Sequence, residues 1–109
     1  MTDIILKLSE TIEKRSKSDP DSSYVAQLNA QGLNKILEKV GEEACETIIA
    51  AKDAEVSSNN SELIKETADL WFHTMVLIGH LGASPMKVIE ELERRLDTSG
   101  LTEKAARNS

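Results

Sequence analysis

At 109 residues the chain is long enough for one domain with a thin core and too short for two. Its formal charge of -6 argues against a general nucleic-acid binder, since there is no basic surplus to displace counterions from phosphate. One cysteine excludes an internal disulfide, and no apolar run reaches the roughly 20 residues a bilayer span needs.

Hydrophobic residues make up 39% of the chain and aromatics 3%, with few Gly and Pro, so a helical protein built on Leu, Ile, Ala and Val is expected. The opening "MTDIILKLSETIEKR" has neither a basic n-region nor a cleavage site, which points to the cytoplasm. Its apolar residues Ile4, Ile5, Leu8 and Ile12 fall on one face of a helix over about residues 2–17. "SKSDPDSS" then reads as a loop. From Tyr24 the periodicity resumes through Leu28, Leu33, Ile36, Leu37, Val40, Ala44, Ile48 and Ile49. Gly32 separates a short helical stretch from a long helix. Gly41 lies inside that helix at a cost of about 1 kcal/mol relative to Ala, which suggests that a backbone or a ligand comes close there. Cys45 sits in the apolar series and is read as a buried small hydrophobe.

"EVSSNNSEL" is a connection, with Asn59 and Glu62 spaced for a capping box. The following helix, to about residue 81, packs through Leu63, Leu70, Trp71, Thr74, Met75, Leu77 and Ile78. Gly82 suits its end, and Pro85 begins a last helix over about residues 85–96, apolar at Val88, Ile89 and Leu92. The outline is all-α: a bundle of four or five helices over residues 1–96, with 97–109 a polar C-terminal tail of the same domain. A core this thin gains by pairing with a second copy, so a homodimer is expected.

Two of the helices carry carboxylate pairs at i, i+3: Glu43 with Glu46, and Glu66 with Asp69. That spacing sets two side chains about 60° apart around a helix and about 4.5 Å along it. An antiparallel hairpin of the two helices would aim all four acids at one point. Hard oxygen ligands suit Mg²⁺, or Mn²⁺ in its place; zinc would want a thiolate or more than the single imidazole of His73. Lys35 and Lys39 continue the acidic line of the first helix, and His73 that of the second. Cations beside a carboxylate-held metal are what a polyphosphate substrate requires. Against this stands the ordinary solvation of acidic residues, which number 19 of 109.

The stretches "SSYVAQLNAQGLNKILEKVGEEACETIIAAK", "ELIKETADLWFHTMVLI" and "VIEELERRLDTSGLTEKAAR" resemble the phosphoribosyl-ATP pyrophosphohydrolase family of histidine biosynthesis. This family lies within the all-α, MazG-like nucleoside triphosphate pyrophosphohydrolases. The likeness spans nearly the whole chain, and one departure is Val25, where the family usually has threonine. The resemblance implies Mg²⁺-dependent cleavage of the α–β phosphate bond of 1-(5-phosphoribosyl)-ATP, giving 1-(5-phosphoribosyl)-AMP and pyrophosphate. It implies Glu43, Glu46, Glu66 and Asp69 as metal ligands, with Glu42 as a further ligand or the group orienting water. Lys35, Lys39, Ser23, Tyr24, His73 and Arg95 are the implied substrate contacts. It also implies a homodimer, with contact to the next enzyme of the pathway, phosphoribosyl-AMP cyclohydrolase, as a further partner. Two other readings stay open: a housecleaning pyrophosphohydrolase acting on dUTP or damaged nucleotides, and a metal-free helical interaction module.

Overall fold

A computed structural model describes residues 2–97. It contains five helices and, among the described residues, no strand: α1 Thr2–Ser16, α2 Tyr24–Gln31, α3 Leu33–Ser57, α4 Ser61–His80 and α5 Met86–Leu96. The expected polar tail lies outside the described residues beyond Asp97, which caps α5. No described helix is long and apolar enough to cross a membrane.

The principal packing is α3 against α4, a long helical hairpin. α1 and α2 lie across it and enclose the core cluster of Ile12, Val25, Leu28, Ile36, Met75 and Val76, with Ile5, Leu8, Phe72 and Leu77 packed around it. Leu28 and Ile36 are the largest side chains to be fully buried, and each such burial stabilises by about 1.5–3 kcal/mol. Val25, the departure from the family's usual threonine, sits inside this core at 4% exposure, where a hydroxyl would need a partner.

Local chemistry sets the junctions. Ser23, in an extended conformation, caps α2 by accepting a hydrogen bond at Oγ from the Ala26 N–H at 3.2 Å. Gly32 then serves both neighbours: its N–H donates to the Leu28 carbonyl and its carbonyl accepts from the Ile36 N–H. It does so at φ 98° and ψ 177°, a region essentially closed to residues with a Cβ. At the end of α4, Gly82 has φ 86°, its N–H donates to the Gly79 carbonyl, and the Ala83 N–H donates to that of Ile78, a Schellman closure.

Four expectations are corrected. The Asn59–Glu62 capping box does not form. Ser58 enters the left-handed region at φ 60°, which turns the chain so that Asn60 is the N-cap, without a side-chain bond. Asn59 instead accepts at Oδ1 from the Ser61 N–H at 3.0 Å. Cys45 is exposed rather than buried, and Trp71 is 62% exposed rather than packed. Both helices carry apolar residues on more than one side, and only one side of each meets the core. Finally, a Cβ at Gly41 would meet nothing within 4 Å, so within this chain no backbone approaches it.

Candidate active site at the α3–α4 carboxylates

The i, i+3 acids of α3 face the first half of α4. Glu43, Glu46 and Glu66 each bring a carboxylate oxygen to within 4.8 Å of the other two. Glu43 is buried at 7% exposure, Glu66 is half-buried and Glu46 is exposed, so the cluster opens to solvent on one side. Asp69 stands outside this tightest group, yet its charge acts on both Glu43 and Glu66.

The electrostatics are those of a site whose negative charge outweighs its positive charge. Burial, then the charges of Glu46 and Asp69, push the Glu43 carboxyl above the usual range. Glu66 is pushed up to about 7, first by its hydrogen bond with Glu46, then by burial and the neighbouring acids. Two buried oxygens, Glu43 Oε2 and Glu66 Oε2, have no hydrogen-bond partner. An unpartnered buried acceptor costs about 1–3 kcal/mol, and more when charged. A divalent cation with oxygen preference fits this donor set. It would pair both orphaned oxygens and cancel the repulsion that raises the carboxyl pKa values.

The remaining residues that the sequence singled out divide into two groups. Lys39 lies beside the cluster: its Nζ is 3.1 Å from Glu42 and 4.0 Å from Glu43, and the Glu42 hydrogen bond raises its pKa against the opposing effect of burial. Glu42 is thus held by Lys39 at the rim and is not one of the three converging acids. His73 is buried, and its Nδ1 bonds to the Asp69 carbonyl at 2.7 Å, while Nε2 bonds to the Tyr24 hydroxyl at 2.8 Å. Since a carbonyl only accepts, Nδ1 carries the proton and Nε2 accepts from Tyr24. Tyr24 stacks near Phe72 and reaches the Asp69 carbonyl through His73, so this chain of contacts borders the carboxylates. Lys35, by contrast, pairs with Glu38 at 3.5 Å, and Arg95 pairs with Glu91 at 3.4 Å on its own helix. Ser23 is engaged as the cap of α2.

Sequence reasoning missed the Tyr24–His73–Asp69 chain, because 49 residues separate its first two members and no spacing rule links them. It also missed a groove beside Tyr24, lined in part by Lys14 and Arg15. A more enclosed hollow of about 330 Å³, between α1, α2 and the α4–α5 turn, lies toward the opposite end of α4 from the acids.

Paired acids on two facing helices, with a lysine at their rim, are the equipment of a phosphoanhydride hydrolase. Residues 5–96 match the family model described as phosphoribosyl-ATP pyrophosphohydrolase. The match covers all five helices apart from the first residues of α1, and the acids, Lys39, Tyr24 and His73 all fall inside it. The chain belongs to the phosphoribosyl-ATP pyrophosphohydrolase family, a family of histidine biosynthesis.

Proposed function

We propose that this protein uses Mg²⁺ to hydrolyse the α–β phosphate bond of 1-(5-phosphoribosyl)-ATP, the second step of histidine biosynthesis. Water adds across the anhydride and yields 1-(5-phosphoribosyl)-AMP and pyrophosphate. The observation that carries the reading is the convergence of Glu43, Glu46 and Glu66 with two buried oxygens unpartnered.

In this reading Glu43, Glu46 and Glu66 would hold the cation, with Asp69 as the fourth ligand. When bound, Mg²⁺ supplies Lewis acidity toward phosphate oxygens and makes a nearby water easier to deprotonate. The protein's part is positioning and charge. Lys39, protonated at neutral pH, leaves Glu42 for a phosphate oxygen when polyphosphate arrives, and Lys35, a few residues earlier on α3, follows it. Glu42, released by that exchange, is placed to orient the attacking water and accept its proton. The hydrogen bond from His73 to the Asp69 carbonyl fixes the turn of α4 that carries Asp69, and the Tyr24 hydroxyl keeps the imidazole in that tautomer.

We also propose a homodimer working in the cytoplasm. Two stripes at alternating four- and three-residue spacing support the pairing: Leu37, Gly41, Ala44, Ile48 and Ala51 on α3, and Ile64, Ala68 and Trp71 on α4. Leu37, Ile48, Ile64 and Trp71 within them are 46–68% exposed.

The test is pyrophosphate release from phosphoribosyl-ATP measured beside dUTP and the common nucleoside triphosphates, with Mg²⁺ and with a chelator. Preference for phosphoribosyl-ATP, lost on chelation and in Glu46→Gln, is expected. Preference for dUTP would move the protein to the housecleaning enzymes, and full activity in Glu46→Gln would remove the carboxylate cluster from the mechanism.

A further inference from the structure

Beside Tyr24 a groove of about 650 Å³ runs between the end of α1, the start of α2 and Phe72 of α4. Its polar wall is Lys14, Arg15, Ser18, Ser22, Ser23 and Tyr24, and no carboxylate lines it. That is unusual in a chain with a formal charge of -6. Many of the cations elsewhere are answered locally: Lys17 pairs with Glu13, Lys35 with Glu38, Lys39 with Glu42, Lys52 with Glu55, and Lys87 with Glu90. Lys14 and Arg15 have no such partner among the described residues, although α1 carries Glu10 and Glu13. The first-turn N–H groups of α2, at Tyr24 and Val25, add positive potential to the same wall.

The groove is joined to the candidate active site by one residue. Tyr24 lines it and donates to His73, whose ring in turn donates to the Asp69 carbonyl on the acid-bearing stretch of α4. A molecule with its polyphosphate at the carboxylates therefore has a second, basic, hydroxyl-rich compartment next to it. A plain nucleoside triphosphate has no second anionic group to put there. Phosphoribosyl-ATP has one, the 5-phosphate monoester on its additional ribose.

Resting on the substrate proposed above, we infer that Lys14 and Arg15, with the hydroxyls of Ser18 and Ser22, form the subsite for that phosphate monoester and so discriminate phosphoribosyl-ATP from ordinary triphosphates. Arg15 offers a planar fork of donors to phosphate oxygens and Lys14 a point charge; the hydroxyls of Ser18 and Ser22, which donate to the Lys14 and Asp19 carbonyls in the free chain, would turn from these exposed carbonyls to the phosphate. Val25 and Phe72 give the groove an apolar floor beneath its polar wall, and its volume falls within the range of small-molecule sites, roughly 300–1,000 Å³.

The experiment compares the unmodified chain with Lys14→Gln, Arg15→Gln and the double variant, each checked for helical content by circular dichroism. KM and kcat are measured for phosphoribosyl-ATP, and the inhibition constant for ATP as a competitor. Loss of charge-assisted hydrogen bonds should raise KM about tenfold or more in the double variant, with kcat little changed and the ATP constant unmoved. An unchanged KM, or equal weakening of both nucleotides, overturns the subsite. The subsite is separable from the substrate assignment through ribose 5-phosphate, whose binding is followed by amide chemical shifts over residues 14–24. If the protein fails to hydrolyse phosphoribosyl-ATP but binds ribose 5-phosphate only with Lys14 and Arg15 present, the substrate assignment falls and the phosphate site stands. No shift with ribose 5-phosphate removes the site.

Discussion

A carboxylate inside a repelling cluster destabilises the metal-free fold and is indispensable once a cation binds, and Glu66 offers the clearest test of that opposition. Its ordinary pKa is 4.5 and its folded value about 7. Between those two pH values the folded state keeps a proton that the unfolded chain has released. Stability is therefore greatest on the acid side and falls as pH rises from about 4.5 through about 7. Glu43, raised in the same direction, adds to the slope. Glu91 works the other way, since Arg94 and Arg95 hold it at about 2. Its contribution is present above 4.5 and disappears only as pH falls toward 2, outside the window in question. Melting in EDTA should accordingly be higher at pH 5.5 than at pH 8. Glu66→Gln should raise the melting temperature at pH 8 and flatten that difference. In the unmodified protein Mg²⁺ should restore what the repulsion removes, by RT ln(1 + [L]/Kd), about 2.7 kcal/mol at a hundredfold excess over Kd. Glu46→Gln and Asp69→Asn should each lose most of that shift. A metal-insensitive melting point in the unmodified protein at millimolar Mg²⁺ would leave the cluster without a cation to hold.

At the scale of the elements, two glycines make opposite predictions. Gly32→Ala forces a Cβ into a conformation closed to it, at the joint where α2 ends and α3 begins, and should destabilise by about 1–3 kcal/mol in urea titration. Gly41→Ala meets nothing within the chain and should stabilise α3 by up to about 1 kcal/mol in a monomeric background. In the proposed dimer, whose stripe includes Gly41, the gain should shrink or reverse as the added methyl meets the second copy. The same contrast explains what was legible in the sequence. Helix periodicity, Gly32 and Gly82 located the elements to within a residue or two, because each signal is local. The acids at i, i+3 were legible for the same reason, since a helix converts spacing directly into a shared face. The Tyr24–His73 hydrogen bond was not legible, because it depends on how α2 crosses α4. Nor could the pattern assign Cys45 and Trp71 to inside or outside. Hydrophobic spacing marks a face as apolar without saying whether this chain or another one covers it.

That ambiguity becomes decisive for the molecule as a whole. Among the described residues the core holds two large, fully buried side chains, Leu28 and Ile36, while Ile48, Ile64 and Trp71 are each more than 60% exposed. Leaving such side chains in water forgoes about 25 cal/mol for every Å² that a partner would cover. A partner of the same sequence brings the same alternating stripes, and two α3–α4 hairpins so joined make a four-helix arrangement with the apolar residues inside. Trp71 is the only tryptophan in the chain, so its fluorescence reads the interface directly. In the paired protein its emission should be blue-shifted, moving to longer wavelength on dilution as the indole meets water. Ile64→Glu, about two helical turns from Trp71 on the same stripe, should abolish the dilution dependence and give a monomeric mass in sedimentation. It should also lower the melting temperature by a concentration-dependent amount, since the stabilisation lost is that of association. A tryptophan that emits as fully solvated at every concentration, with a monomeric mass in the unmodified protein, would mean that the exposed stripes have no second copy to cover them.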